Sequence, residues 1–451
     1  IPSSVDETTY VNNPKSSAFT WGAAEGFEDY KKGLFGLSWQ HDYNSTTKQH
    51  TSIFTSFSDS FEARPFNYLK EKTNAIGLRT KLLFNTQLFN QNLLWTIGGE
   101  VFSDKNSYQI FQNLYKDFPI GTGSIQGTLL SNFKENRTYF NLFFDSKYEL
   151  TAKTKFNFGI NINQTSYNLE DRFYTSNINY SGDYSFGTVL SPKFGLTKQV
   201  TNNSIIYGTI SHGFSPPTLE ETLLPNNLIN TNIKPESGWN FEIGSRGKIL
   251  KNKLFFDIAL YQMNVKNLLV AKRTSNDEFI GVNAGKTQYK SIELSLGYIL
   301  LKGNNLNINL SNATNYNHFK FKEFTDLENN YSGNELPGVP KFTYNSTISF
   351  ELDLGIYGNL NYRYVGEIPI RDDNSIYSNK YQLVNLKLGY QTLKNKKIVF
   401  NAFVGINNLL NEKYASMLLI NASSFGNNAP RYFYPGKPIN YYSGINLKFT
   451  L

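Results

Sequence analysis

The sequence predicts an all-β protein, an antiparallel transmembrane β-barrel, and three observations carry that prediction. Apolar and polar residues alternate with period two over stretches of ten or more positions. A soluble strand usually runs about 5–6 residues, whereas a tilted strand needs roughly 9–11 to cross a bilayer. Short turns and long polar connections alternate along the chain, as they do in a barrel with one tight rim and one elaborated rim. Finally, only 39% of the 451 residues are hydrophobic, yet 16% are aromatic, with 30 Tyr and 36 Phe. A wall that is apolar outside and polar inside needs fewer aliphatic residues, and interfacial girdles inflate Tyr and Phe.

The repeating unit is clearest from Asn203 to Met263. A strand from Ser204 to Ser211 leads into Gly213-Phe-Ser-Pro-Pro-Thr218 and a loop rich in Asn and Pro. Then Phe241, Ile243, Ser245, Gly247 and Ile249 fall on one face, and Glu242, Gly244, Arg246 and Lys248 on the other. After a turn at 251–252 the chain returns through Leu254, Phe256, Ile258 and Leu260, with Asp257, Ala259 and Tyr261 between them.

From Lys32 onward eight hairpins of this kind are expected. Their turns lie near 44–46, 90–92, 151–153, 201–203, 251–252, 302–305, 353–355 and 394–396. The polar connections between them run roughly 59–73, 105–133, 167–185, 214–237, 267–285, 319–340, 368–380 and 409–439. Phe156, Phe158, Ile160 and Ile162 interleave with Asn157, Gly159, Asn161 and Asn163, and Leu306, Ile308 and Leu310 with Asn307, Asn309 and Ser311. A closing strand from Tyr441 to Leu451 sets Ile445, Leu447, Phe449 and Leu451 against Asn446, Lys448 and Thr450. A one-sided soluble sheet also alternates, but eight such repeats would need a very large sheet with nothing to cover it.

Eight hairpins and a closing strand give about 17 strands, whereas single-chain bacterial barrels close with even numbers. With the short turns periplasmic, the last strand ends in the periplasm and the first begins outside. Residues 1–30 then form an external loop, and at least one strand lies upstream. Ile1 is not an initiator, and no basic segment followed by an apolar one succeeds it, so the sequence reads as a mature form or a fragment.

Other classes of function find little support. No run of 18 apolar residues provides a transmembrane helix, and without Cys neither disulfides nor thiol chemistry enter. The net charge of +8 is spread along the chain with no basic tract, which argues against a nucleic-acid partner. His41, His50, His212 and His318 are the only histidines, and none has metal-ligand spacing. There is no Gly-x-Ser-x-Gly elbow or phosphate loop, so an enzyme, a resident metal and a cofactor are not expected. Asp326, Glu328, Asp372 and Asp373 read as solvated loop charge rather than a Ca²⁺ site. His212, at a rim, reads as a girdle residue rather than a haem ligand.

The motifs point further. Gly213-Phe-Ser-Pro-Pro-Thr218 is followed by Glu220, Lys234-Pro-Glu236 and Phe241-Glu-Ile-Gly244, then by Val282-Asn-Ala-Gly285 and Ser291-Ile-Glu-Leu294. After these come Leu336-Pro-Gly-Val-Pro340, Gly405-Ile-Asn-Asn-Leu-Leu-Asn-Glu-Lys-Tyr414 and Arg431-Tyr-Phe-Tyr-Pro-Gly436. In this order and spacing the chain resembles the barrel of TonB-dependent outer-membrane receptors, of siderophore-receptor type, over residues 1–451. The resemblance implies a barrel of about 22 strands with a filled lumen. Residues 1–451 would be its C-terminal portion, and the plug domain, its coupling box and about five strands would lie outside this sequence.

Phe214, Pro216, Pro217, Pro235, Glu236, Glu242, Gly244, Asn407 and Asn408 are expected to serve structure. Pro216 and Pro217 lack backbone donors and stop the ladder, Gly405 and Gly436 would allow tight bends, and Glu242, Arg246 and Glu293 face the lumen. The function implied is import, across the bacterial outer membrane, of a metal chelate, most often a ferric siderophore. The resemblance implies as partners that ligand, the TonB-ExbB-ExbD energy complex, the lipid bilayer and lipopolysaccharide. Tyr108, Phe111, Tyr115, Phe425, Tyr432 and Tyr434 would stack on the ligand, and Arg431 would pair with its charge. The alternatives are a passive porin, or a receptor for cobalamin, haem, copper or an oligosaccharide.

Overall fold

The computed structural model describes residues 3–173, 181–217, 233–273, 279–283, 285–326, 329–392, 398–424 and 428–449. Two short helices come first, α1 (Glu7–Asn12) and α2 (Phe19–Ala24). Six strands follow: β1 (Glu28–Asp42), β2 (Thr47–Ala63), β3 (Tyr68–Leu88), β4 (Gln91–Asn113), β5 (Gln126–Thr151) and β6 (Thr154–Asp171). A short β7 (Gly182–Ser185) precedes β8 (Val189–Thr201), β9 (Ser204–Ser215), β10 (Glu236–Ile249) and β11 (Leu254–Lys266). The small hairpin β12 (Leu269–Arg273) and β13 (Phe279–Asn283) leads to β14 (Lys286–Lys302) and β15 (Leu306–Glu323). After the two-residue β16 (Thr325–Asp326) and β17 (Asn329–Asn330) come β18 (Phe342–Leu352), β19 (Ile356–Val365), β20 (Tyr381–Gln391) and β21 (Ile398–Asn407). A last small hairpin, β22 (Ala415–Leu418) and β23 (Phe433–Pro435), precedes β24 (Asn440–Phe449).

Among the described residues these strands build one 18-stranded sheet. Every ladder in it is antiparallel between neighbours, a plain up-and-down meander in which β7 is a short addition to β6. Without β7 the wall has the seventeen strands expected. Seven of the eight expected turns are present, and the eighth, at 394–396, lies outside the described residues. The β3–β4 turn is held by Phe89 and Asn90, with φ of 49° and 59°, the left-handed pair that suits a tight hairpin.

The apolar set of the alternation lies on one face. Ile53, Leu78, Val101, Phe140, Ile210, Phe241, Ile243, Leu260, Ile292, Leu360, Val404 and Ile445 are all exposed on it, and the registers place them in contiguous cross-strand rows. Soluble proteins rarely leave so continuous an apolar belt in water. Facing lipid, each such side chain is worth about 1.5–3 kcal/mol. The polar set faces the lumen.

The strands outrun the alternation. Residues 59–73 were expected as a loop, yet β2 and β3 continue through them to a tight connection at 64–67, where Arg64 N donates to Asn67 O at 2.8 Å. Likewise 105–133 contains the arms of β4 and β5, and 126–151 is one strand. The reason is physical. Beyond the bilayer both faces meet water, so the apolar rhythm ends while the backbone ladder continues.

Two of the expected glycine roles are corrected. Gly405 and Gly436 are not bends. Gly405 sits inside β21, where a Cβ would come within 2.2 Å of the Tyr442 ring, and at Gly436 it would come within 2.4 Å of Tyr414. Each glycine makes room for an aromatic ring lying flat across the strand.

Candidate functional site

On the outward face of β5 the residues run Lys134, Asn136 and Thr138 before the first apolar one, Phe140, and on β6 they run Gln164, Ser166 and Asn168 above Ile162. The level of Glu135, Arg137 and Tyr167 is therefore above the bilayer, on the lumenal face of the arms. There the alternation stacks Glu135, Arg137, Tyr139 and Asn141 on β5 beside Glu100 and Asp104 on β4 and Asn163, Thr165 and Tyr167 on β6.

Arg137 grips Asp104 through two parallel bonds, Nε–Oδ1 at 3.1 Å and Nη2–Oδ2 at 2.6 Å, the bidentate geometry that fixes a guanidinium. Glu100, buried, accepts from both Arg79 and Tyr139. Asn163 donates to Asn141 at 2.6 Å, and Thr165 donates to Asn163 at 2.9 Å. Tyr167 donates to the carbonyl of Pro217 at 2.9 Å. Arg137, Tyr139, Asn163, Tyr167 and Pro216 line a recess of about 340 Å³. Burial raises the Glu135 carboxyl to about 7, Asp104 and Glu71 add to that, and Arg137 opposes it. Burial likewise pushes the Tyr167 phenol to about 12, so it stays a donor at neutral pH.

The Arg137 guanidinium is paired with Asp104 and the Tyr139 and Tyr167 hydroxyls are given to Glu100 and the Pro217 carbonyl, so the recess presents a neutralised cation and a row of carboxamides, Asn141, Asn161 and Asn163. Among the described residues no three His, Cys, Asp or Glu side chains converge as a metal site.

The residues expected to contact ligand divide into two groups. At the β3–β5 tips, Tyr108 stacks on Phe133 at 5.5 Å, and Lys70 lies 4.9 Å over Phe111. Tyr115 is buried in a 3-10 turn. In the 409–439 connection Tyr432 is buried beside Ile370 and Phe433, Tyr434 pairs with Met417 in the β22–β23 ladder, and Arg431 donates to Thr20 Oγ1 at 3.3 Å. Phe425 lies outside the described residues. The two groups lie on separate stretches of the chain, and Tyr115 and Tyr432 are buried.

The residues expected to be structural are seated in the wall. Pro216 and Pro217 end β9, and Pro217 is fully buried. Phe214 is in the last turn of that ladder, opposite Ser237. Glu236 accepts from Leu269 N at 2.5 Å, and Pro235 O accepts from Asn267 at 3.4 Å. Glu242 accepts from Tyr207 at 3.0 Å, across the slot left by Gly244. Asn407 donates to Asn440 at 3.0 Å. Asn408, at φ 52° and 2% exposed, donates to Glu412 O and Lys437 O and accepts from Glu412 N.

Arg137, Tyr139, Glu100 and Arg79 were not singled out from the sequence. The signal was present as a charged alternation, Glu135-x-Arg137-x-Tyr139, one step above the first apolar outward residue, but that stretch reads as the edge of a loop.

Residues 2–409 match the family model for "TonB dependent receptor-like, beta-barrel". The Catecholate siderophore receptor Fiu of Escherichia coli (strain UTI89 / UPEC) is 23% identical over 274 residues, which make up 58% of this chain and 33% of that protein. The ferric citrate transporter FecA, in its unliganded form, is similar in fold with a TM-score of 0.79 at 14% identity, over 99% of this chain and 65% of that one. The siderophore receptor PiuA from Acinetobacter baumannii gives a TM-score of 0.73 at 15% identity, over 94% and 64%. At these identities the structures speak to the fold alone. The chain spans about two thirds of their length, and its match to Fiu spans a third of that receptor. With the family model taking in most of the chain and the same wall recurring in solved receptors, this bacterial outer-membrane β-barrel belongs to the TonB-dependent receptor-like β-barrel family.

Proposed function

We propose that residues 1–451 are the C-terminal portion of the barrel domain of a receptor that imports a ferric siderophore, driven from the periplasm by the TonB-ExbB-ExbD complex. The observation that carries this reading is the lumenal recess around Arg137. Its upper end, at Arg137 and Tyr167, lies above the bilayer on the inner wall, where a ligand entering from outside would pass, and its carboxamides together with the Arg137 guanidinium suit the oxygens of a ferric chelate. Two of the relatives matched in sequence point the same way, a catecholate siderophore receptor and a ferric-pyoverdine receptor. Tyr108, Phe111, Arg431 and Tyr434 would engage the ligand at the rim before it reaches Arg137, with Tyr115 and Tyr432 supporting them from beneath. The structural set around Pro216, Glu242 and Asn408 would hold the wall to which a plug docks.

The test is growth of a receptor-deleted strain on limiting ferric siderophore, complemented with the full gene. Rescue is expected only with an intact energy complex, and Arg137→Ala should raise the half-saturating ligand concentration roughly tenfold, the cost of one charge-assisted contact. Rescue without the energy complex would replace active transport with a porin. Rescue by cobalamin, haem, copper or an oligosaccharide alone would keep the family and overturn the ligand.

A further inference from the structure

The wall around Arg137 carries more acid than base. One lumenal row runs Ala75, Asp104, Arg137 and Tyr167 across β3 to β6, and the row above it runs Thr73, Asn106, Glu135 and Leu169. Below the Tyr139 level a third row runs Arg79, Glu100, Asn141 and Asn163. Both guanidinium groups in these rows are taken, Arg137 by Asp104 and Arg79 by Glu100. Two further carboxyl groups stand above them. Glu135 is 7% exposed, and Glu71 accepts from Asn106 at 3.0 Å. Among the described residues neither of these forms an ion pair. Burial first and the neighbouring Asp104 next push the Glu135 carboxyl up to about 7, with Arg137 opposing them, which reports a negative field at this spot.

What the recess leaves free for a ligand is neutral. Asn161 lines it, and among the described residues the Asn161 side chain has no hydrogen-bond partner. Asn141 accepts from Asn163 at 2.6 Å and keeps its own N–H groups. Phe214 and Pro216 add apolar surface. At about 340 Å³ the recess holds one arm of a chelate rather than the whole. A carboxamide presents a donor and an acceptor together. A neutral amide or hydroxamate arm uses both, whereas a bare oxyanion is repelled by the acceptor. The charge of the chelate then decides. Three singly charged hydroxamates cancel iron(III), but three doubly charged catecholates leave a trianion. Setting a trianion beside carboxylates costs Coulomb energy that a neutral chelate does not incur, and like charges brought together reject the wrong partner.

Taking the chain as part of a ferric-siderophore receptor, we propose that this recess selects ferric chelates without net charge, of the trihydroxamate type, over anionic tris-catecholates. Asp104 sets the choice by neutralising Arg137, and Asn161 and Asn141 hold the amide and hydroxamate oxygens of one arm.

The test titrates the full-length receptor, purified in detergent, with ferrichrome (an uncharged trihydroxamate) and ferric enterobactin (a trianionic tris-catecholate), followed by quenching of protein fluorescence. The wild type should bind ferrichrome the more tightly, by about tenfold. Asp104→Asn releases Arg137 and removes a negative charge. It should bind ferric enterobactin about tenfold more tightly than wild type does, the gain of one charge-assisted contact, with its ferrichrome affinity little changed. Asn161→Ala should act in the other direction, weakening ferrichrome severalfold and leaving ferric enterobactin as it was. Tighter binding of ferric enterobactin by the wild type would overturn the selection proposed here and keep the siderophore reading. A wild type that binds neither chelate would remove both. Equal changes for the two chelates in Asp104→Asn would overturn the role of Asp104, since a merely structural residue moves both alike. Should Asp104→Asn not fold, Glu135→Gln takes its place: a gain for ferric enterobactin alone supports the proposal, and no selective gain overturns it.

Discussion

Single residues set the ends of the wall and the charge of its mouth. Asn408 adopts a left-handed conformation that asparagine tolerates better than most residues, and its buried side chain closes three hydrogen bonds. Asn408→Ala should therefore cost about 2–4 kcal/mol, because buried backbone partners are left unsatisfied; thermal unfolding in detergent measures it, and an unchanged midpoint would count against this role. Glu135 behaves in the opposite sense. Its carboxyl rises from 4.5 to about 7 in the folded wall, so the native state holds the proton more tightly than the unfolded chain. Stability should fall as pH rises from 4.5 to about 7 and level off above. Glu135→Gln should flatten that dependence and leave the variant more stable than wild type at pH 8; a parallel pH profile in both proteins would refute it. Asn407 and Asn408 stand out in the sequence because they belong to a motif of fixed spacing. Glu135 and Arg137 do not, because desolvation and cross-strand pairing become visible only once β4, β5 and β6 are in register.

At the scale of elements, the alternation was legible wherever lipid enforced it. Phe156 to Ile162 and Leu306 to Leu310 lie as read, on two of the seventeen wall strands. Where both faces meet water nothing in the sequence separates a strand arm from a loop, which is why Tyr108 reads as loop and lies on β4. The lipid rule has a direct check. Ile160→Cys should be shielded from water-soluble maleimide by detergent or lipid, while Asn161→Cys, on the lumenal face, should react; equal labelling would contradict the barrel. A second element-level device, a ring laid over a glycine, recurs at Gly244 under Tyr207, Gly405 under Tyr442 and Gly389 under Tyr357. Such pairs pin strand register by cross-strand packing. Gly405→Ala should cost about 1–3 kcal/mol, the usual cost of overpacking. Trimming Tyr442 in the same chain should recover part of that loss, a coupling that a double-mutant cycle reads directly. Independent, additive losses would mean that the ring and the glycine do not act as a pair.

Across the whole molecule, the two ends of the sheet meet through a strap rather than a ladder. Among the described residues β1 pairs with β2 and β24 with β21, and neither pairs with the other. Instead the segment from Ser3 to Phe27 crosses the outer rim between them. Val5, 1% exposed, exchanges backbone hydrogen bonds with Phe433 at 2.8 and 3.1 Å. Tyr10 stacks on the Phe433 ring at 4.9 Å, and Lys413 reaches the Val11 carbonyl. At its far end the same segment receives a hydrogen bond from Ser124 at the carbonyl of Ala24. The strap thus ties the 409–439 connection to the tips of β4 and β5, the two rim regions that carry Arg431 and Tyr108. Helices of six residues are too short to hold themselves in water, so α1 keeps its shape through these contacts. Tyr10→Ala removes the stacked ring and should free both partners together. Limited proteolysis on intact cells is then expected to cut within 409–439 several times faster than in wild type, with the tips at 114–125 also becoming accessible. Faster cutting in only one of the two regions would mean that each is held by its own contacts and that the strap transmits nothing between them.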